Sequence, residues 1–543
     1  MDKRMVLRNP VGGMDMDRKQ QAALGLSLLL AAFYAGPAVA GGTDAAPAAP
    51  APAVTAAGPA DFRRTSWTEL AQQYGNPYFT EEAQAALSPD VLAAWWTVFH
   101  DDVLDGLIRT ALTNSRDLAA ARSRLNQARA RLGIAKAARL PWLDAAGGWV
   151  RSQVPDNVVD GVLPEAVTRG ALGPYDAKKE GSYAGLDATW ELDVFGKTRA
   201  RVRSASNSLQ ARNAQLYSAW VSLSAEVALN YITLRTLQEE LAVTERHVAN
   251  LKENRELVAA NEKAGLLSSL PADQASYTLH AAEARIPALK EDIADTLNRL
   301  SVLTGTVPGA LNDGLLPAKP LPDVDPRLYN AIPAGVLRQR PDVHAAERAW
   351  AAQIAKTSEA KAEMKPRFTI SGLLGFATLD GGLFSAGSRG FSLLPQVTFP
   401  LFHGGALAKN VRVQKEKEKE LQADYEKTVL QAAAEVRSSM TAISQDHERR
   451  VFLEQGRAAA RDACGLAQNR FRNGLSDYLD VLDAERQYLQ LDQNFTEAKG
   501  RELTLLVSLF KALGGGWEPL GAAAADDVPS GRSANHDEGG ARK

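Results

Sequence analysis

The stretch Leu186-Asp187-Ala188-Thr189-Trp190-Glu191-Leu192-Asp193-Val194 places an apolar side chain at every even position and a polar one between each pair. Side chains on a β-strand alternate faces, so this segment reads as a strand with one apolar and one polar face. Two kinds of sheet give that pattern. A soluble sheet buries the apolar face in a core. A membrane barrel turns it to lipid and keeps the carboxylates in a wet lumen. The choice between them rests on the flanking sequence.

Three more strand candidates accompany the one at 182–195, at 142–152, 367–377 and 391–402. Pro141 and Pro366 stand before two of them, where proline ends the preceding helix for want of an N–H. Loops rich in Gly, Pro and Asp, 153–181 and 378–390, separate the strands of each pair and read as extracellular loops. Between the strand pairs the pattern is helical, over 103–139, 198–263, 267–303, 334–364, 406–472 and 476–512. Val227, Leu234, Leu241 and Val248 recur every seven residues, with Leu237, Leu251 and Val258 three positions on. Leu475, Leu482, Leu489, Leu503 and Phe510 keep the same spacing near the end of the chain. Such heptads predict long helices packed side by side. At 1.5 Å per residue the 198–263 block is about 100 Å long.

The pattern occurs twice. Asp117-Leu118, Ala135-Lys136-Ala137 and Pro141 return 225 residues on as Asp342-Val343, Ala360-Lys361-Ala362 and Pro366. Glu226-Val227, Gly265-Leu266, Leu270 and Gly305 return 209 residues on as Glu435-Val436, Gly474-Leu475, Leu479 and Gly514. Each half therefore runs helix, strand, loop, strand, long helix, tight turn, helix. Two strands per half give four per chain. Single-chain membrane barrels need at least about eight, so closure calls for several copies, and three chains supply twelve strands about one axis.

Composition narrows the function. Acidic and basic residues nearly balance, 64 against 62, which excludes the basic stripe of a nucleic-acid binder. Cys464 is the single cysteine, so no intrachain disulfide framework or thiolate metal cluster is expected. None of the seven histidines pairs at i, i+4 spacing, and neither a nucleophile–base pair nor a phosphate loop is apparent. The expectation is a protein with no catalytic, cofactor or metal residues. Arg18-Lys19, the apolar run Ala22–Tyr34 and Ala38-Val39-Ala40 read as a secretory signal cleaved after residue 40, with Met14 or Met16 as a candidate start. After residue 40 no apolar run is long enough for a membrane helix, which leaves a closed barrel as the way to span a bilayer.

Several local patterns resemble the outer-membrane factor family of the TolC and NodT type. They are Trp95-Trp96 with Phe99 and Asp101-Asp102, Trp190 to Lys197, Arg340-Pro341-Asp342-Val343, Gly474 to Ala484, and Lys511-Ala512-Leu513-Gly514-Gly515. The resemblance covers residues 66–517. It implies a mostly α-helical chain with a membrane β-barrel: a trimeric, twelve-stranded barrel continued by a long α-helical barrel, with two tandem repeats per chain. The expected divisions are a signal peptide (1–40), an Ala/Pro-rich linker (41–65), a first repeat (66–310), an inter-repeat linker (311–335), a second repeat (336–517) and a disordered tail (518–543). The implied function is the outer-membrane channel of a tripartite efflux pump exporting small toxic compounds, with the helical part in the periplasm. Its implied partners are two further copies, a periplasmic adaptor, an inner-membrane pump and outer-membrane lipid. The channel of a type I protein secretion system is the alternative. Many NodT-type members carry a lipidated cysteine after the signal. Gly41-Gly42 stands there instead, so attachment rests on the barrel.

Gly265 and Gly474 suit the left-handed residue that ends a helix, and they fit two helix–helix turns at the periplasmic tip. Asp480 and Asp483, at i, i+3, share a helix face, and Arg486 follows three residues later. Spacing alone equally describes a solvated helix face. The resemblance implies more: these positions match the family's acidic constriction, so Asp480, Asp483 and Arg486 are the candidate gate. The first hairpin has Pro271 and Asp273 where the second has Asp480 and Leu482, so the two tips are not equivalent.

Overall fold

The structure, a computed structural model, describes residues 92–153, 178–322, 324, 339–378 and 382–517. The expected signal peptide, the Ala/Pro-rich linker, the tail and parts of both loops and the inter-repeat linker lie outside the described residues.

A 3-10 turn at Trp95–Phe99 leads into α1 (Asp102–Asn114) and α2 (Arg116–Ala137), followed by β1 (Trp142–Gln153) and β2 (Lys178–Leu192). Next come α3 (Lys197–Lys263), α4 (Ser269–Thr304) and the single turn α5 (Asn312–Leu315). The sequence of elements then resumes with α6 (Pro341–Ala362), β3 (Arg367–Thr378), β4 (Arg389–Thr398), α7 (Ala406–Arg472) and α8 (Tyr478–Ala512). No helix among the described residues is long and apolar enough to cross a membrane.

The helical boundaries follow local chemistry. The Asp101 carboxylate caps α1 by accepting from the amides of Val103 (2.9 Å) and Leu104 (3.4 Å). The expected helix over 103–139 is broken at Ser115, whose ψ of 131° is not helical. Pro341 opens α6 at its first turn, where its missing N–H costs no helical bond. The heptad leucines and valines of α3 turn inward: Val227, Leu234, Val248, Leu251 and Val258 are buried. α3 packs along α2, α4, α6 and α8, and α7 along α6 and α8.

The largest core joins Trp95, Phe99, Leu104 and Ile108 to Val227 and Ile232 of α3, Leu300 of α4 and Phe510 of α8. Trp95 stacks on Phe510 with ring centroids 5.3 Å apart. Full burial of each large apolar side chain contributes about 1.5–3 kcal/mol, so this knot ties the middle of α3 to the ends of α4 and α8. Two smaller clusters, around Leu251 with Leu279 and around Val258 with Tyr478, continue toward the end of α3 and the start of α8.

The four strands form one antiparallel sheet in the order β1-β2-β3-β4. Leu143 pairs with Ala188, Leu186 with Leu374, Trp190 with Ile370 and Leu374 with Phe391. The apolar face read from β2 therefore continues across all four strands. Asp144, Asp187, Glu191, Thr369, Ser371 and Gln396 fall on the opposite face. Trp149, Leu186, Leu374, Phe391 and Leu393 are exposed, so nothing among the described residues covers the apolar side.

Two strands end earlier than the sequence suggests. β2 stops at Leu192 because Asp193 turns away to accept from the amides of Thr198 (2.9 Å) and Arg199 (2.8 Å), capping α3. β4 stops at Thr398, which pairs with Arg367, the first residue of β3, so no partner strand remains beyond it. Gly404 and Gly405 then take φ of +56° and +79° and turn the chain into α7.

Candidate functional site

The far ends of α3 and α7 are built alike. Lys263 is the last residue of α3 and Gly265 takes φ +73°; its N–H reaches the Glu262 carbonyl (2.9 Å) and that of Leu266 reaches Asn261 (2.9 Å). Gly474, at φ +70°, ends α7 in the same way, with bonds to Phe471 (2.9 Å) and from Leu475 to Arg470 (2.8 Å). This pair of bonds is the Schellman arrangement, and its left-handed residue favours glycine because a Cβ there crowds the backbone. Each turn returns the chain antiparallel, so α3–α4 and α7–α8 are two helical hairpins.

Asp480, Asp483 and Arg486 lie exposed on the first turns of α8, and among the described residues no ion pair or side-chain hydrogen bond joins them. Tyr478, beside them in sequence, points the other way. It is buried with Val258, Val481 and Leu482, its ring 5.5 Å from that of Phe471.

The seam between the hairpins is polar at places the sequence does not single out. Glu485 of α8 is 6% exposed. One carboxylate oxygen accepts from Asn254 Nδ2 of α3 and from Gln468 Nε2 of α7 (3.0 Å); the other has no partner. Burial, with the Gln468 bond and the His247 charge opposing it, pushes the carboxyl from an ordinary 4.5 up to about 6. Two turns further along, His247 Nε2 lies 3.1 Å and Arg457 Nε 2.5 Å from the Asp492 carboxylate. Burial alone would raise Asp492, but His247 and Arg457 hold it below the usual range. Arg285 of α4 donates to Gln493 at 2.6 Å. Side chains from α3, α4 and α7 thus converge on one face of α8.

Beside the main core, midway along α3 and at the start of α6, two arginines pin the chain crossings. Arg235 of α3 is fully buried and donates Nη1 to Gln238 (2.7 Å) and to the carbonyls of Leu315 (3.2 Å) and Pro317 (2.9 Å). Arg340 donates Nη1 to the Ala512 carbonyl (2.7 Å) and grips Asp342 through Nε (3.0 Å) and Nη2 (2.6 Å), with Glu435 at 2.8 Å. The pattern Arg340-Pro341-Asp342 is therefore a clamp between the start of α6 and the end of α8.

Known proteins resemble this chain in sequence and fold. The outer membrane efflux protein family matches residues 107–306 and 333–515. A toluene efflux pump outer membrane protein of Pseudomonas putida, TtgC, is 32% identical over 463 residues, 82% of this chain and 91% of that protein. The outer-membrane channel OprN superposes with a TM-score of 0.72 at 31% identity, covering 79% of this chain and 93% of that one. The outer membrane protein VceC of Vibrio cholerae gives 0.71 at 27% identity, with 78% and 99% covered. This chain belongs to the outer membrane efflux protein family.

Proposed function

We propose that the chain is the outer-membrane channel of a tripartite efflux pump, in which three copies close a twelve-stranded barrel and continue it as a helical tunnel into the periplasm. The observation that carries this is the sheet: four strands sharing an apolar band on one face, with Arg151, Glu180 and Arg389 on that face only at its loop end, and with β1 and β4 left as unpaired edges. In a bilayer every backbone group needs a partner, so those edges must be closed by other copies. The helices make the same demand. Of the 67 residues of α7 seven are buried, and Phe452, Leu430 and Leu466 stand exposed along it. Neighbouring copies packed side by side supply the missing partner surface.

Duplication of one ancestral half fits the element lengths. α2 and α6 each have 22 residues and start 225 apart, at Arg116 and Pro341. α3 and α7 each have 67 and start 209 apart, at Lys197 and Ala406. The divisions at 66–310 and 336–517 follow from that duplication, with a signal peptide and linker before them.

At the hairpin end, exposed Asp480 and Asp483 of three copies form rings of carboxylates about the axis, and Arg486 completes the closure from a neighbouring copy. Rings of like charge bind cations and narrow a pore electrostatically. A periplasmic adaptor docks at this end and an inner-membrane pump supplies the energy. The relatives' toluene and antibiotic efflux supports small apolar toxicants as cargo. Native mass measurement of the purified protein in detergent tests the architecture; the expected species is a trimer, and a stable monomer would refute it. A deletion strain is expected to become sensitive to solvents and antibiotics. Loss of a secreted protein alone would instead favour the secretion channel.

A further inference from the structure

We propose that Glu485 is a proton-operated latch between the two helical hairpins, loosening their seam when ionised and tightening it when protonated. The geometry makes the case. Glu485 sits where α3, α7 and α8 meet, and its acceptors are filled asymmetrically: Asn254 of the first hairpin and Gln468 of the second both donate to one oxygen. The second oxygen is buried without a donor. A buried carboxylate with half its acceptor capacity unmet is costly, and protonation removes the charge that makes it so.

The surroundings leave Glu485 as the group that responds. Cys464 on α7 and Tyr478 on α8 are themselves raised by burial, to about 11 and about 12, and stay neutral. Tyr277 of α4 lies beyond Tyr478, and Arg472 of α7 lines the same cleft. His247 of α3, facing from one side, is held against Asp492. Glu240, lifted to about 7 by burial and the charge of Glu497, lies fourteen residues before Asn254 on α3, about 21 Å along the helix.

The direction follows from linkage. The packed seam raises the carboxyl to about 6, above its ordinary 4.5, so the packed form binds the proton more tightly. Acid therefore favours the closed seam, and this stabilisation fades as pH rises through about 6. Between pH 7.5 and pH 5 those two values give an approximately eightfold shift in the seam equilibrium. That the seam moves when the tip opens rests on the gate reading above.

The test uses the full chain purified in detergent. Amide hydrogen exchange, corrected for the intrinsic rate, is followed over residues 250–262 and 464–486 between pH 5 and pH 7.5. Protection is expected to be about eightfold greater at pH 5. Glu485→Gln, neutral at every pH, should show the acid-level protection throughout, while Glu240→Gln should keep the wild-type dependence. Because the His247 charge holds the Glu485 carboxyl down, His247→Gln keeps the dependence with its midpoint moved upward; unchanged pH dependence in Glu485→Gln, or its loss in His247→Gln, overturns the latch. Asn254→Ala provides a second arm: losing a donor to the ionised form should move the midpoint upward, and an unmoved midpoint also overturns it. Single-channel conductance reads the gate separately. Exchange that follows pH through Glu485 at constant conductance upholds the latch and refutes its coupling to the tip, while the gate stands or falls on Asp480 and Asp483.

Discussion

Replacing Arg340 isolates the clamp that joins the two ends of the second half. The guanidinium is 8% exposed, and it satisfies the Ala512 carbonyl and both oxygens of Asp342. Arg340→Ala leaves a buried carbonyl without a donor and a half-buried carboxylate without its cation. Removing one partner of a fully buried pair costs about 3–5 kcal/mol; Asp342, 37% exposed, stays partly hydrated, so about 2–3 kcal/mol is expected, still above the 0–1 kcal/mol of an exposed pair. Glu435, more than half exposed, adds little to that figure. Arg340→Lys keeps the charge but cannot reach Ala512 and both Asp342 oxygens together, so a loss of about 1–2 kcal/mol is expected. Thermal unfolding of the purified protein in detergent, scanned at fixed rate, measures both. The order wild type, Lys, Ala is expected, and Ala unfolding with wild type would refute the clamp. The same contact predicts an acid limb. Burial raises the Asp342 carboxyl, but Arg340 outweighs it and the net shift is downward. The stabilisation is therefore complete above the ordinary value of 3.8 and is lost as pH falls through the lowered one; Asp342→Asn should lack that limb.

Asp480→Ala combined with Asp483→Ala should raise single-channel conductance in planar bilayers and weaken block by polyvalent cations, at a stability cost of about 0–1 kcal/mol; Asp273→Ala should be nearly silent, and unchanged conductance with assembly intact would return the aspartates to a solvated face. Gly474→Ala should cost about 1–2 kcal/mol in thermal unfolding from its positive φ alone, since a Cβ there meets nothing within 4 Å. Leu374→Lys, in the middle of β3 on the apolar face, should cost about 2–4 kcal/mol and reduce heat-modifiable assembled protein, whereas Ser371→Lys on the opposite face should assemble normally.

The parts of this chain that repeat are legible in its sequence. Period-two alternation in β2 names a face that strand register then extends to Leu143, Leu374 and Phe391. The heptads name mostly buried residues, Val227, Leu234 and Val248 of α3 and Leu482, Leu503 and Phe510 of α8, because a seven-residue repeat is fixed by the helix itself; Leu475, at the turn before α8, is exposed instead. Gly265 and Gly474 stand out because few residues other than glycine take a positive φ comfortably. What escapes depends on meetings between distant residues. Asn254, Gln468 and Glu485 have no mutual spacing to betray them, and an isolated Glu on a charged helix reads as solvent-facing. Arg340 binds a backbone carbonyl at Ala512, which no side-chain pattern announces. The break at Ser115 is hidden because the residues on either side continue a helical composition.

The equal length of α3 and α7 makes the pair a ruler with two scales. Both have 67 residues, so the turns at Gly265 and Gly474 arrive at matching distances from the sheet. Adding seven residues to one alone would carry its turn about 10.5 Å past the other and unpair every polar contact across the seam. Adding one residue would rotate the remaining helix by about 100° and take its apolar stripe out of the core. A longer or shorter tunnel can therefore be engineered only by inserting or deleting whole heptads, at the same level, in all four hairpin helices at once.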